Sequence, residues 1–437
     1  ALIGGEPLLL IGAHGTGKSH MLLRLARAMG LEWRHYNASL LQFDDLVGFP
    51  LPDGKGGLDY IQTRSTIWNV QAAFFDEIAR CRPELQNKLF PIIHEKRVQG
   101  LDLTRLVYRW AAMNPPESGE GDGPYRGSEP LDVALADRFA FIIEMPAWDH
   151  YDEQAQEQII RARDAEIDPI AASRLTGRVR AGQSILPILE IDLAAPLACY
   201  VRLLAALLRR GSIAISPRRA GIILRNIIAV HAGRLLDNVN ADLGESALLA
   251  LHASLPQPAW GEQATALKVA AAHKEAWNGA KLSPDDPRRW LLTEICPVKR
   301  VMRGAKLTLA TAEFSGVVAD ALAELPPGGR HALASGLFER KLAGKLAAAV
   351  AEQAAQLATL SAQPPKSLDM AALGQRQAVW QHVQTAVGQL APGSPDSMRL
   401  TNLLAGMMAV GQLTTTAQVD RIVQSWSRCR QQIAEAA

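Results

Sequence analysis

Over the first third of the chain, short apolar runs alternate with amphipathic stretches of helical period. The runs Leu8–Ile11, Trp33–Asn37, Ala73–Asp76, Leu106–Met113 and Phe139–Met145 read as strands. Ser19–Met29, Pro83–His94 and Asp132–Asp137 read as helices between them. Such alternation predicts a parallel α/β sheet. Two segments do not fit a minimal sheet. Val47–Thr66, with Asp53-Gly54-Lys55-Gly56-Gly57 in its middle, reads as a hairpin, and so does Lys96–Arg105 around Gln99-Gly100. From Pro146 the period turns helical: Tyr151–Ala165, Leu197–Arg210, Pro217–Leu236 and Ser246–Ser254, with a boundary at Pro256-Gln257-Pro258. Beyond Ala264 nearly everything is helix, broken at Ser283–Pro287, Pro326–Gly329, Pro364-Pro365 and Pro392–Pro395. The Ala/Leu-rich stretch His331–Leu360 suggests long packed helices, and no internal repeat is strong enough to predict a solenoid.

The first apolar run leads into Gly12-Ala13-His14-Gly15-Thr16-Gly17-Lys18-Ser19, a G-x-x-x-x-G-K-S sequence between a strand and a helix. In that context it is a phosphate-binding loop. Its glycines let successive N–H groups turn inward toward phosphate oxygens. The helix start adds the positive end of its dipole. Gly12, Ala13, His14, Gly15, Thr16, Gly17, Lys18, Ser19 and His20 are therefore the candidate residues for binding ATP. Lys18 is expected at the β- and γ-phosphates and the Ser19 hydroxyl on Mg²⁺.

Ala72-Ala73-Phe74-Phe75-Asp76-Glu77 is an apolar strand ending in two carboxylates. As a strand next to the phosphate loop, it would deliver them to the open sheet edge. Asp76 is expected to hold Mg²⁺ through water and Glu77 to polarise the attacking water. Alone, an Asp-Glu pair more often marks a solvated helix start; the loop upstream and the buried run before it favour catalysis. Trp110–Pro116 ends a strand in Asn114, which either orients the lytic water or simply forms a turn before proline. Arg138 follows a short helix, and Ser216-Pro217-Arg218-Arg219 opens a long one; taken alone, each arginine reads as solvation.

The chain has 437 residues, room for two or three domains, and is 48% apolar, enough for a sizeable core. Its net charge of +2 lacks the asymmetry of a strongly basic nucleic-acid binder. Cys81, Cys199, Cys296 and Cys429 are far apart and without metal spacing, which points to buried thiols in a reducing compartment such as the cytoplasm. No apolar run approaches about 20 uninterrupted residues, so no membrane span is expected. No signal peptide is visible. The chain opens without Met almost on its first strand, so a preceding segment that contributes to the base pocket is expected.

The order of these motifs resembles the AAA+ ATPases, and in detail their MoxR branch. The resemblance rests on Phe75-Asp76-Glu77-Ile78, Leu85-Gln86-Asn87-Lys88-Leu89, Ala111-Ala112-Met113-Asn114-Pro115, Ala134-Leu135-Ala136-Asp137-Arg138-Phe139 and Ser216-Pro217-Arg218, and it covers residues 1 to about 258. It implies an α/β P-loop AAA+ core with a parallel sheet over 1–146, an α-helical lid over 147–258, and leaves an all-α C-terminal region over 259–437. It implies that Asn114 is sensor 1, Arg138 an arginine finger reaching a neighbour's nucleotide, and Arg218 sensor 2. Arg126 competes with Arg138 for the trans role, and Arg219 with Arg218. Val47–Thr66 resembles the helix-2 insert and Lys96–Arg105 the pre-sensor-1 hairpin, which line the central pore in this branch. The implied function is ATP hydrolysis by a homo-oligomeric ring, expected to be hexameric. The ring would remodel a protein substrate together with a von Willebrand A domain protein. No D-x-S-x-S pattern is present, so no such domain is fused here. A nucleic-acid motor or restriction-type NTPase is the alternative. Val47–Thr66 sets only Lys55 and Arg64 against Asp53 and Asp59, which disfavours a nucleic-acid funnel.

Overall fold

The computed structural model describes residues 1–52, 54, 58–116, 129–161, 166–363, 377–388 and 393–436. It divides into two units, Ala1–Lys281 and Leu282–Ala437.

The first unit begins with β1 (Leu8–Ile11), α1 (Lys18–Ala28), β2 (Trp33–Asn37), α2 (Phe43–Val47), β3 (Phe49–Pro52) and β4 (Leu58–Ile61). It continues with β5 (Ala72–Asp76), α3 (Pro83–Glu95), β6 (Arg97–Val98), β7 (Leu101–Asp102), β8 (Tyr108–Met113), α4 (Val133–Ala136) and β9 (Phe141–Glu144). Five strands form one sheet in the order β2-β5-β8-β1-β9. Every pairing in it is parallel. β1 and β8 are buried at every position, as strands covered on both faces must be, and so appear as unbroken apolar runs. Alternate residues feed two layers. Leu9, Ile11, Ala73, Phe75, Ala111 and Met113 pack with Leu85, Leu89 and Ile92 of α3. Leu8, Leu10, Phe74, Trp110 and Ala112 pack on the other face with Leu22 and Ala26 of α1.

The strand ending in Asp76-Glu77 is not the neighbour of the strand that feeds the phosphate loop, because β8 lies between them. Both segments outside the minimal sheet are antiparallel pairs, β3 with β4 and β6 with β7. Asp53, Lys55, Gly56 and Gly57 at the tip of the first hairpin lie outside the described residues, as does Arg126.

The helical remainder of this unit comprises α5 (Glu153–Arg161), α6 (Pro169–Arg210), α7 (Pro217–Leu235), α8 (Leu243–His252) and α9 (Ala266–Ala280). α6 begins far earlier than the expected Leu197. Pro187 and Pro196 lie within it, and prolines inside a helical pattern read as stops. Its true start is capped by the Asp168 carboxylate, which accepts from Ile170 N–H, with Pro169 at the first helical position. By length and composition α6 could cross a bilayer. In its C-terminal half, however, Leu197, Tyr200, Leu204 and Leu208 are buried, packed with α7 and α9 as in a core helix. α9 therefore sits with the first unit, past the boundary suggested by Pro256-Gln257-Pro258.

The second unit is helical: α10 (Pro287–Thr293), α11 (Pro297–Gly304), α12 (Thr311–Glu324), α13 (Pro327–Glu339), α14 (Ala348–Ala362), α15 (Gln377–Gly388), α16 (Pro395–Ala409) and α17 (Thr416–Glu435). Its core includes Val301, Val318, Leu333, Leu337, Leu403 and Trp426. The small residues Gly328, Ala332, Ser335 and Gly336 are buried on α13, the helix most closely packed with α17. Arg300, 1% exposed, pairs with Glu324 at 2.7 Å. The Ala/Leu-rich stretch is split between α13 and α14 by a turn in which Lys341 has a φ of 56°.

Candidate nucleotide site

The phosphate loop leaves β1 at Gly12 and enters α1 through Gly17. Gly17 caps α1 with φ 78° and ψ 14°, a left-handed conformation that costs a side chain about 1–2 kcal/mol. At Gly12 the constraint is space: a Cβ there would lie 2.8 Å from the Cβ of Met145. The loop is thus pressed against the chain just past β9, where Met145 N–H donates to Ile11 C=O at 2.7 Å.

Lys18 is buried. Its Nζ donates to Gly12 O at 2.7 Å, Ala13 O at 2.9 Å and Asn114 Oδ1 at 3.2 Å. Burial lowers its pKa below the usual lysine value, against the opposing charges of Glu77 and Asp76. Asn114 leaves the end of β8, beside β1, and is itself buried. The intervening strand therefore places the Asn114 amide next to the loop's lysine.

Ser19 Oγ donates to Asp76 Oδ2 at 2.7 Å. His35 Nε2 lies 3.3 Å from the same oxygen, and Glu77 N–H donates to Asp76 Oδ1 at 3.0 Å. Burial pushes the Asp76 carboxyl up, but the hydrogen bonds from His35, Ser19 and the Glu77 backbone together hold it below the ordinary aspartate range. A hydroxyl and an ionised carboxylate are hard oxygen donors, which suit Mg²⁺ beside phosphates. Glu77 adopts φ 52° and ψ 40°, a left-handed conformation rare outside glycine, where strain of order 1–3 kcal/mol persists only if the surroundings impose it. Its carboxylate meets Arg80 at 3.4 Å.

A cavity of about 590 Å³ opens beside the loop. Ala13, His14, Gly15, Thr16, Gly17 and His20 form one side, as the motif suggested; Gly12, Lys18 and Ser19 lie off its wall. The opposite side, Met145–Trp148 with Tyr151, Ile159 and Ile160, was not foreseen. Its signal was a Pro-containing aromatic stretch directly after the last strand.

Arg138 and Arg218 are elsewhere. Neither lines this cavity. Arg138 lies over the Phe90 ring at 4.2 Å and donates to Ala134 O at 2.5 Å. Arg218 reaches Asp137 Oδ2 at 3.5 Å and lines a second hollow with Asp132, Asp137, Gln257 and Trp260. Burial lowers the Arg138 pKa, and the charge of Arg218 lowers it further. Burial also lowers the pKa of nearby His94, with Arg218 and Arg138 adding to the effect. Arg219 is fully buried. It bonds Asp137 Oδ1 at 3.1 Å, Phe139 O at 2.8 Å, Ser254 O at 3.0 Å and Ala136 O at 3.1 Å. It is a strut between α7 and the sheet end, which leaves Arg218 the exposed member of the pair.

Residues 7–139 match the family described as AAA domain (dynein-related subfamily). That span holds the phosphate loop, Asp76, Glu77, Asn114 and Arg138; Arg218 and the second unit lie beyond it. Among solved structures, a "putative ATPase" of Cytophaga hutchinsonii is similar, with 20% identity over 58% of this chain and 78% of its own and a TM-score of 0.39. A superposition that loose adds nothing to the assignment. No curated protein matches. An AAA domain thus occupies residues 7–139, and the activity it supports is ATP hydrolysis.

Proposed function

We propose that this ATPase works as a closed ring of the MoxR type, a hexamer, which spends ATP to remodel, activate or assemble a protein partner alongside a von Willebrand A domain protein. In this reading residues 1–146 form the nucleotide-binding core, residues 147–258 the lid that moves with it, and residues 259–437 an all-α C-terminal region whose α9 packs with the lid helices. ATP lies on Gly12–His20, with Mg²⁺ held by Ser19 and, through water, Asp76. Glu77 polarises the attacking water and Asn114 orients it. Lys18 supplies charge stabilisation at the γ-phosphate, to which a bound Mg²⁺ would add.

The observation that carries the ring is the placement of the two arginines. Arg138 and Arg218 lie close enough for the charge of one to act on the other and for both to act on His94, away from the cavity that the loop lines. Arginines placed away from their own loop suit the phosphates of a second copy. Such a trans arginine is worth on the order of 10³–10⁵ in rate. A protein partner, rather than nucleic acid, is favoured by the hairpins, whose exposed side chains include Phe49, Leu51, Ile61 and Leu101. The test mixes Arg138→Ala with Lys18→Ala protein, each expected to be inactive alone. Mixed rings contain sites that pair an intact Lys18 with a neighbour's intact Arg138, so turnover should return. Proven subunit mixing with no recovery would overturn the trans assignment.

A further inference from the structure

His35 belongs to neither nucleotide-binding motif. It lies on β2, the edge strand, in register with Phe74 of β5, so that Asn37 rather than His35 is opposite Asp76. Its imidazole nevertheless leans along the strand to bring Nε2 to 3.3 Å from Asp76 Oδ2. The ring lies flat on Phe74, with centroids 4.8 Å apart and planes 11° from parallel. That stack fixes the ring plane. The same Asp76 oxygen accepts from Ser19 at 2.7 Å, while the other oxygen is held by the Glu77 N–H at 3.0 Å. Among the described residues the Asp76 carboxylate thus has three partners, Ser19, Glu77 N–H and His35, and His35 is the one supplied from outside the two nucleotide-binding motifs.

We infer that His35 is a positioning residue for metal binding: its Nε2–H, aimed by the stack on Phe74, holds the Asp76 carboxylate toward Ser19. The inference rests on the proposed Mg²⁺ role of Ser19 and Asp76. A carboxylate free to rotate would spend part of its time away from the serine hydroxyl, and every such rotamer is lost to the metal. Groups that orient a ligand in this way are typically worth about 10–100-fold in metal affinity. The ring also shields the sheet edge beside Asp76, but shielding needs only a flat side chain, whereas orientation needs a donor.

Two variants separate those roles. His35→Phe keeps a ring for the stack and removes the donor; His35→Gln removes the ring and keeps a donor. The measurement is the affinity of a fluorescent ATP analogue in excess EDTA and at stepwise Mg²⁺, followed by Mn²⁺ titration read by its electron spin resonance. His35→Phe should bind the analogue in EDTA as the parent protein does, yet need about tenfold more metal for the Mg²⁺-dependent gain. His35→Gln should restore most of that gain. An unshifted metal requirement in His35→Phe overturns the inference. So does a larger shift in His35→Gln than in His35→Phe, which would assign the effect to the stacked ring, or a loss of metal-free affinity in His35→Phe, which would assign it to folding. If the parent protein itself gains no affinity from Mg²⁺, the Ser19–Asp76 metal assignment falls, and the inference with it.

Discussion

Arg218 and Arg219 follow one another in sequence and end on the two oxygens of one carboxylate, Asp137 Oδ2 and Oδ1. Helical geometry sends their side chains in directions about 100° apart. Arg219 points into the protein and is fully buried, while Arg218 keeps 40% of its side chain in solvent. Ser216 completes the arrangement: its Oγ donates to Asp137 Oδ2 at 2.7 Å and accepts from Arg219 N–H at 2.9 Å. One carboxylate therefore fastens the start of α7 to the end of α4.

These neighbours predict opposite phenotypes. Arg219→Ala strips the Asp137 carboxylate and four backbone carbonyls of a buried partner, which should cost about 3–5 kcal/mol. Its melting temperature should fall, and turnover should fall only as far as the folded fraction does. Arg218→Ala should leave the melting temperature within a degree or two of the parent, because an exposed pair contributes little. Its ATP turnover should drop sharply all the same. Thermal melts beside phosphate-release assays distinguish the two; a stable, fully active Arg218→Ala would remove that residue from the mechanism.

Lys18 and Glu77 should separate binding from chemistry. Lys18→Ala deletes a charge placed among Gly12, Ala13 and Asn114, and nucleotide affinity should be lost. Glu77→Gln keeps the shape of the site and removes the proposed base, so ATP should still bind while turnover falls about 10²–10⁴-fold. Near-normal phosphate release by Glu77→Gln would show that another group activates the water.

The strands and the phosphate loop were legible because each has a local signature. Buried parallel strands must be apolar throughout, and G-x-x-x-x-G-K-S fixes its own geometry. Neither signature carries strand order, so the position of β8 between β1 and β5 could not be read. That order is what places Asn114 beside Lys18. Nor could the division of labour between Arg218 and Arg219 be read, since it depends on what α7 packs against. Pro187 and Pro196 concealed the first half of α6, because a long helix held by neighbours tolerates prolines that a local reading treats as stops. His35 was invisible for a similar reason: its partner Asp76 is brought to it only by sheet pairing.

Acid should weaken the fold through its histidines. Burial lowers the pKa of His94, His231, His273 and His331 below the usual value of 6.5. The unfolded chain therefore binds protons that the folded chain refuses. Stability is full above the unfolded value and falls as pH drops below about 6.5, until the depressed folded pKa values are passed. His331 is the most buried of the four, and its Nδ1 bonds Leu357 O at 2.8 Å. His331→Asn, which keeps a donor and cannot titrate, should flatten the slope of melting temperature against pH between 7 and 5. An unchanged slope would place the acid sensitivity elsewhere.

With phosphates on the loop, the rest of the nucleotide must extend into the cavity walled by Met145, Trp148, Tyr151, Ile159 and Ile160. Trp148, 47% exposed, is the largest flat surface there. Stacking a base on an aromatic side chain is worth about 1–3 kcal/mol, so Trp148→Ala should weaken ATP binding on the order of tenfold. Inorganic tripolyphosphate carries no base and should bind the variant and the parent alike. ATP should also quench tryptophan emission in the parent, and Trp148→Phe should abolish that quench while keeping most of the affinity. If tripolyphosphate and ATP weaken together in Trp148→Ala, the side chain supports the loop rather than the base, and the base must lie along another wall.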